Sequence, residues 1–314
     1  SCTYTLAYDG TSDNNLRYVG SNPCNYVKID DEYWRIIGVM NNIDDGTGKK
    51  ETRIKLIRNE SIGEYSWDTS ESSVNSGSSV NSGYGVNEWS QADLMKLLNP
   101  GYESESVGGS LYYNGGSGTC YNSSCNGITA CDFTNSGLKE NLKALIGDVI
   151  WNTGSQGTND WTSSSNGLAS HFYTYERSND TGKICSSGSY CNDTVERTTT
   201  WTGKVGLMYP SDYGYATSGG STNNRTSCLN TSLNSWNSYS DCYSKDWIYN
   251  SSYQWTISPT ANSADAYSVF YVYSNVDLTS ALNPAGVRPS VYLLSSTSIL
   301  SGEGTPENPY TIAD

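Results

Sequence analysis

Nine cysteines and one histidine are the residues of this chain with the broadest chemistry, and their spacing favours disulfides over metal binding. No two cysteine pairs form the short paired arms that hold structural zinc, and a single histidine excludes a site of two cysteines and two histidines. Oxidised pairs are typical of proteins outside the cytoplasm. The expected disulfides are Cys2 with Cys24, Cys185 with Cys191, Cys228 with Cys242, and two of the three residues Cys120, Cys125 and Cys131. One cysteine is left over.

The other reactive residues lack the neighbouring motif residues that catalysis or metal binding requires. The acidic loop at residues 41–48 has Ile43 where a calcium-binding EF-hand loop needs an oxygen ligand, so a tight turn at Asp45-Gly46 is favoured. His171 has no serine or cysteine motif beside it, and motifs for hydrolases, dinucleotides, phosphates and zinc proteases are absent from the sequence. We therefore predict a structural His171, no metal, no cofactor and no enzymatic activity. A glycan hydrolase is the lesser alternative, because two carboxylates could still meet in space.

Composition excludes several classes of partner. A net charge of -14 and a pI near 4.4 disfavour nucleic acid and anionic membrane surfaces. With 26 Tyr and 9 Trp the chain has too many aromatic residues for a disordered polymer. It has no apolar run of membrane length and begins at Ser1, so we expect an extracellular or cell-surface domain, processed or excised, without direct membrane insertion.

A tyrosine-rich segment near the C-terminus is the candidate binding surface. Residues 255–258 and 287–294 are predicted to be core strands, and residues 266–275 alternate as a strand between them. The joining residues are mostly Asn, Ser, Ala, Thr, Asp and Tyr, the mixture used by antibody-like binding surfaces. The candidate ligand-binding residues are Asn262, Ser263, Tyr267, Phe270, Tyr271, Tyr273, Asn275, Asp277 and Asn283. The alternative is a set of ordinary hairpin loops in which the tyrosines pack across strands.

Other periodic segments supply the elements that would hold this surface. Strands are predicted at residues 4–7, 26–29, 33–40, 52–58, 149–151 and 171–177, with the second to fourth forming a meander. Ser90 is predicted to cap a helix that ends before Pro100, with Leu94, Leu97 and Leu98 as its buried stripe. A second helix is predicted at residues 138–146, and a cysteine-stapled loop at residues 112–133.

Residues 207–220, Leu-Met-Tyr-Pro-Ser-Asp-Tyr-Gly-Tyr-Ala-Thr-Ser-Gly-Gly, resemble a motif of formylglycine-generating-enzyme-like proteins. Their motif reads Leu-Pro-x-Glu-Ala-Glu-Trp-Glu-Tyr-Ala and is followed two residues later by a glycine pair. Gly286-Val287-Arg288 resembles the Gly-Phe-Arg that ends that domain. The enzyme's activity is not implied, because its two cysteines before this ending have no counterpart after Cys242, and Met208 replaces its proline.

The chain is also similar to uncharacterised bacterial surface domains and to retroelement-diversified lectin-fold proteins, through residues 33–39, 206–216, 255–259 and 286–289. This resemblance implies an α+β class and a C-type-lectin-like fold of the formylglycine-generating-enzyme variety, with two main helices, twisted antiparallel sheets and long disulfide-stapled loops. It implies a variable ligand face at about residues 262–284. Strand alternation would point Arg288 the same way as Ser290 and Tyr292, but the resemblance favours an inward Arg288 that braces the loops. We expect Asp212 to be its carboxylate partner.

The expected organisation is one large domain, 1–314, with a loop-rich N-terminal segment at 1–25 and a lectin-like body at 26–314. The expected function is an extracellular ligand-binding or adhesin domain whose partner is a surface glycan or protein. The alternative is a structural subunit that self-associates into a surface filament, pilus or layer, as the odd cysteine and the low charge density over polar loops would allow.

Overall fold

The computed structural model describes residues 1–70, 84–154, 160–178, 198–260 and 267–313, and it is a mixed α+β structure in which sheets predominate. Its strands are β1 (Leu6–Tyr8), β2 (Leu16–Tyr18), β3 (Tyr26–Ile29), β4 (Glu32–Asp44), β5 (Lys50–Arg58), β6 (Glu64–Ser66), β7 (Ser117–Tyr121), β8 (Ile128–Asp132), β9 (Val149–Asn152), β10 (Thr200–Gly203), β11 (Val205–Gly206), β12 (Gln254–Pro259), β13 (Ser268–Val272), β14 (Val276–Ser280), β15 (Pro284–Gly286), β16 (Ser290–Tyr292), β17 (Ser298–Ser301) and β18 (Thr311–Ala313). Its α-helices are α1 (Asp93–Leu98), α2 (Leu111–Asn114), α3 (Glu140–Lys143), α4 (Ala169–Glu176), α5 (Pro210–Tyr215), α6 (Arg225–Leu229) and α7 (Ser240–Ser244).

Two sheets organise the described residues. The larger has seven strands in the order β1-β2-β4-β5-β16-β11, with β3 paired to β4, and the smaller has five in the order β14-β13-β12-β15-β6. All pairings in these sheets are antiparallel except β12 with β15. One contiguous cluster of buried apolar residues packs against both sheets and runs from Tyr18 to Leu293 in sequence.

The predicted meander is present as β3, β4 and β5, and its last turn contains Asp45 and Gly46. The N-terminal segment is more than a loop, because β1 and β2 extend the same sheet through the pairing of β2 with β4. The strand predicted at residues 4–7 is observed as β1, which begins two residues later and ends one residue later. The first 25 residues therefore form part of the sheet that builds the core.

Three of the expected disulfides are confirmed. Cys2 is bonded to Cys24, Cys228 to Cys242, and Cys120 to Cys131, so the last bond selects one of the pairings that the sequence left open. The Cys228–Cys242 bond joins α6 to α7, and the Cys120–Cys131 bond crosses the β7–β8 hairpin. The Cys125 Sγ lies 3.2 Å from the carbonyl oxygen of Thr69. Cys185 and Cys191 lie outside the described residues.

Several predicted elements are wrong in type or length. The strand predicted at residues 171–177 is wrong, because residues 171–176 belong to α4 and Arg177 is its C-cap. Phe172, Tyr173 and Glu176 are buried at helical spacing, which overrides the strand preference of aromatic side chains. The helix predicted to begin at Ser90 begins at Asp93, where the N–H groups of Asp93 and Leu94 donate to Asp68 and Trp67.

Helix lengths differ from expectation as well. The helix predicted at residues 138–146 is limited to α3, and the described residues hold seven α-helices of at most eight residues instead of two main ones. The predicted buried stripe of Leu94, Leu97 and Leu98 is confirmed. Among the described residues, every helix is too short or too polar to span a lipid bilayer.

A chain of alternating buried charges joins the larger sheet to α5. The Asp212 carboxylate accepts from Arg17 Nη1 at 2.8 Å and from Lys55 Nζ at 2.7 Å, and Arg17 Nε donates to Asp9 at 2.9 Å. All four side chains are almost fully buried. The Lys55 ammonium also lies over the rings of Tyr209, Trp151 and Tyr292, at 4.1, 5.2 and 5.1 Å from their centroids. Two acids and two bases therefore neutralise each other inside the core.

The ionised form of Asp212 is strongly favoured. Burial alone would raise the pKa of Asp212, but the charges of Lys55 and Arg17, together with their hydrogen bonds, lower it to about 2. A pKa below that of the unfolded chain means that this carboxylate stabilises the protein above about pH 4 and loses that contribution as the pH falls towards 2.

We expect Asp212→Asn to lower the free energy of unfolding by about 3–5 kcal/mol at pH 7, because two buried cations lose their partner. The variant should also lose part of the decline in stability that the wild type shows between pH 4 and pH 2. Urea denaturation at several pH values measures both effects. The exposed carboxylate Asp31, changed to Asn, is the control. Equal effects of the two substitutions would contradict a buried, ionised Asp212.

Candidate functional site

One face of the five-stranded sheet carries a cavity of about 290 Å³ that we call the tyrosine pocket. Its lining residues are Tyr253, Tyr271, Thr279, Asn283, Pro284 and Ala285. The volume is at the lower end of the range for small-ligand sites. The pocket is thus large enough for one small ligand or for one protruding group of a larger ligand.

Strand register brings these residues together. Trp255 of β12 is opposite Tyr271 of β13, and Tyr271 is opposite Asp277 of β14. Directly opposed residues share a face of the sheet, and residues two apart along a strand do so as well. Tyr253 and Thr279, each two residues from one of these positions, therefore lie on the same face as Tyr271.

The tyrosine rings are arranged as a right-angled corner. Tyr253 stacks on Tyr273 with 4.9 Å between centroids and 26° between planes, and it meets Tyr271 at 5.2 Å and 73°. Tyr249 extends the aromatic row at 6.1 Å from Tyr273, and Tyr243 lies 5.1 Å from Tyr249. Tyr253 is 53% exposed although two neighbouring rings contact it. About half of the surface of Tyr253 therefore remains accessible to a ligand.

Polar groups complete the wall of the pocket. Asn283 Nδ2 donates to Thr279 Oγ1 at 2.6 Å, which orients both side chains. Burial, with smaller contributions from the charge of Asp277 and from Tyr253, raises the pKa of Tyr271 to about 12. The Tyr271 hydroxyl therefore stays protonated at neutral pH and can donate a hydrogen bond.

The backbone around Tyr253 is held by the buried Arg288. Its Nη1 donates to Gln254 Oε1 at 2.9 Å and to the carbonyl oxygen of Ile248 at 3.2 Å, while its Nε donates to the carbonyl oxygen of Arg58 at 2.9 Å. Gln254 follows Tyr253 in the chain, and Ile248 precedes Tyr249. One guanidinium thus fixes both ends of the loop that carries the exposed tyrosine.

Close backbone approach explains the glycine of the Gly286-Val287-Arg288 run. The Gly286 N–H donates to the Tyr253 carbonyl oxygen at 2.8 Å. A Cβ atom at position 286 would lie only 2.8 Å from that same oxygen, a distance that ordinary Cβ contacts do not reach. A larger residue here would displace the Tyr253 backbone and so the rim of the pocket.

The inward orientation of Arg288 is observed, but its expected ion pair with Asp212 is wrong. Asp212 is already occupied by Arg17 and Lys55, whereas the acceptors of Arg288 are two carbonyls and the Gln254 amide. Burial and the charge of Arg35 lower the pKa of Arg288 to about 9. The brace is therefore made by neutral acceptors.

The structure brings three of the predicted ligand residues together, namely Tyr271, Tyr273 and Asn283. Phe270 is wrong as a ligand contact, because it is buried between Trp161 and Phe172 with centroid distances of 5.1 Å to each. Strand alternation explains the burial of Phe270, because its side chain points to the opposite face of the sheet from Tyr271.

Other predicted ligand residues lie beside the pocket or elsewhere. Tyr267 is half-buried and stacks on Tyr84 at 4.8 Å. Asn275 Nδ2 donates to the carbonyl oxygen of Asn234 at 2.9 Å, and Asp277 Oδ1 accepts from the backbone N–H of Leu278 at 2.8 Å. Asn262 and Ser263 lie outside the described residues.

Sequence reasoning named neither Tyr253 and Ala285 nor Thr279 and Pro284, although the last two lie within the predicted ligand face at residues 262–284. Tyr253 precedes a core strand and so lies outside residues 262–284, the segment predicted as the ligand face. Its spacing of two from Trp255 was a usable signal for the shared face, but the pairing of β12 with β13 was needed to place it beside Tyr271.

Two other groups that could do chemistry have structural roles. The His171 Nδ1 accepts from the backbone N–H of Leu168 at 3.2 Å and so caps its own helix. Asp68 accepts from the N–H groups of Ser70, Val86 and Asp93. Burial and the charge of Asp93 raise the pKa of Asp68 to about 8. This acid pair organises neighbouring backbone instead of facing a substrate.

Among the described residues no group of three or more His, Cys, Asp or Glu side chains is placed to hold a metal ion. Comparisons of the chain with protein families, with curated proteins and with solved structures found no match. The properties of the site therefore have to be argued from its own geometry.

We expect Arg288→Met to lower the free energy of unfolding by about 1–3 kcal/mol or more, because buried carbonyl and amide oxygens lose their donor. The near-ultraviolet circular dichroism of the tyrosines should change as well, because the loop carrying Tyr253 is released. Urea denaturation and circular dichroism test the two expectations.

Lys204→Met is a matched control, because Lys204 forms a partly exposed ion pair with Asp148 at 2.9 Å. Such pairs contribute about 0–1 kcal/mol. An Arg288 variant as stable as the Lys204 variant, with unchanged tyrosine signals, would show that Arg288 does not brace the pocket.

Proposed function

We propose that the protein is an extracellular ligand-binding or adhesin domain that presents the tyrosine pocket to a surface glycan or protein. The observation that carries this proposal is the exposed Tyr253 ring, which forms an open aromatic corner with Tyr271 above the polar pair Thr279 and Asn283. Aromatic side chains beside small polar groups, held on a rigid scaffold, are the composition of adaptable binding surfaces.

An extracellular location is supported by the three disulfides, since such bonds form and persist in oxidising compartments. We further propose a C-type-lectin-like scaffold of the formylglycine-generating-enzyme variety. Its support is the resemblance carried by residues 207–220 and 286–288, which contribute the buried Asp212 and the brace Arg288. The absence of the enzyme's late cysteines supports a role in binding.

The tyrosines provide the test of the proposed function. We expect the full chain to capture a ligand on an array of surface glycans and extracellular proteins, and we expect Tyr253→Ala and the double variant Tyr253→Ala/Tyr271→Ala to lose at least tenfold in affinity for it. Truncating a central aromatic anchor removes contacts on this scale.

Tyr239→Ala is the control for loss of an exposed tyrosine, because Tyr239 is 38% exposed and belongs neither to a strand nor to the pocket lining. Thermal melts should show all variants folded. Unchanged capture by the pocket variants would exclude the tyrosine pocket as the binding surface.

A structural subunit of a surface filament or layer is a second candidate, and edge strand β1 favours it. Val19 N–H donates to the Thr5 carbonyl and Asp9 N–H donates to the Asn15 carbonyl, so alternation turns the N–H and C=O groups of Leu6 and Tyr8 away from β2. The side chains of Leu6 and Tyr8 are exposed as well. An edge of this kind can pair with a strand of a second copy.

If copies associate through β1, sedimentation of the full chain should show concentration-dependent oligomers that Leu6→Lys converts to monomers. A charged lysine on an edge strand disfavours pairing between copies. Ile128→Lys, at an exposed apolar residue of β8, should leave association unchanged. A wild-type monomer at high concentration would contradict the structural-subunit function but not the proposed ligand-binding function.

A further inference from the structure

The arrangement of the Tyr253, Tyr271 and Tyr273 rings favours ligands of one shape over others. Tyr273 covers one side of the Tyr253 ring, and the Tyr271 ring stands nearly at right angles to it. Tyr253 lines the pocket and is 53% exposed, whereas Tyr273, on which it stacks, is not among the lining residues. A flat ligand with C–H groups on its face can stack on Tyr253 while its edge packs against Tyr271.

Hydrogen-bonding groups lie on the wall next to these rings. The Asn283 Oδ1 and the Thr279 hydroxyl hydrogen remain available after the bond from Asn283 Nδ2 to Thr279 Oγ1. The hydroxyl groups of Tyr253 and Tyr271 have no hydrogen-bond partner within the described residues. The pocket thus offers donors and acceptors around an apolar stacking surface, which matches a molecule with hydroxyl groups on its rim and C–H bonds on its faces.

The absence of cationic residues from the pocket lining, with a carboxylate nearby, disfavours acidic ligands. None of the six lining residues is charged, and Asp277 is opposite Tyr271 on the same face. Its carboxylate is close enough to contribute to the raised pKa of Tyr271. A bound anion would face this carboxylate without a lysine or arginine in the lining to balance it.

We propose that the tyrosine pocket binds an uncharged pyranose, the terminal sugar of a neutral or N-acetylated surface glycan, by stacking it on Tyr253 with its hydroxyl groups directed to Asn283 and Thr279. The cavity has room for one sugar ring and not for an extended oligosaccharide. This inference rests on the proposed function and selects one ligand class for the same site.

The experiment titrates the full chain with methyl glycosides of glucose, galactose, mannose and N-acetylglucosamine, and with glucuronic and N-acetylneuraminic acids as charged comparators. Saturation-transfer NMR and tyrosine fluorescence report binding. We expect at least one neutral glycoside to bind with a dissociation constant on the order of 1 mM, as ligands of this size do. The acids should bind at least tenfold more weakly.

Variants separate stacking from other contacts. Tyr253→Leu should lose about tenfold or more in affinity, and Tyr253→Phe, which keeps the ring, should lose less. Asn283→Ala should weaken binding by removing an acceptor and a donor. Tyr239→Ala is the unaffected control, because Tyr239 is 38% exposed and belongs neither to a strand nor to the pocket lining. Melting temperatures check that each variant is folded.

The outcomes distinguish failure of this inference from failure of the proposed function. Tighter binding of the acids, or neutral binding that Tyr253→Leu leaves unchanged, overturns the sugar assignment. A protein ligand that Tyr253→Ala abolishes but that no glycoside competes with overturns the sugar assignment and leaves the binding function standing. If neither glycosides nor array ligands depend on Tyr253, both are overturned.

Discussion

The Asp212 carboxylate, buried between Arg17 and Lys55, is the contact on which the arrangement of the larger sheet depends. It joins β2, β5 and helix α5, and Asp9 balances the remaining charge on Arg17. The Tyr209 N–H also donates to this carboxylate at 2.9 Å, which ties the start of α5 to the same centre. Desolvating these groups is costly, so the network specifies one packing of helix against sheet more than it adds net stability.

Arg288 has the corresponding role in the smaller sheet, but by a different chemistry. Its acceptors are neutral: Ile248 and Gln254 flank the exposed tyrosines, and the carbonyl oxygen of Arg58 belongs to β5. A planar guanidinium can bind several such acceptors at fixed angles, which a lysine cannot. The pocket is therefore held by a rigid interior, while its own surface consists of side chains with little charge. This combination suits recognition, in which pre-organised aromatic groups lose little conformational entropy on binding.

The acidic surface and the uncharged pocket act at different ranges. A net charge of -14 repels anionic partners at a distance, whereas in the proposed function the pocket selects its ligand at contact by shape, stacking and hydrogen bonding. Edge strand β1 lies in the larger sheet, whereas the tyrosine pocket lies on the smaller one. The proposed ligand binding and the proposed association between copies therefore involve different sheets and are compatible in one molecule.

The α+β class was expected from a family resemblance, whereas the sequence patterns by themselves determined the β3–β5 meander, the disulfides Cys2–Cys24 and Cys228–Cys242, and the presence of Tyr271, Tyr273 and Asn283 in one segment. These follow from local patterns, namely alternation, turn residues and cysteine spacing, which short stretches of chain contain in full. Only the tertiary structure decided that Phe270 is core, that residues 171–176 are helical, that Asp212 pairs with Arg17 and Lys55, and that Tyr253 completes the pocket. Each of these depends on which other segment packs against the residue, as in the pairing of Asp212 with Arg17 across 195 positions, and such packing leaves no signature in the local sequence.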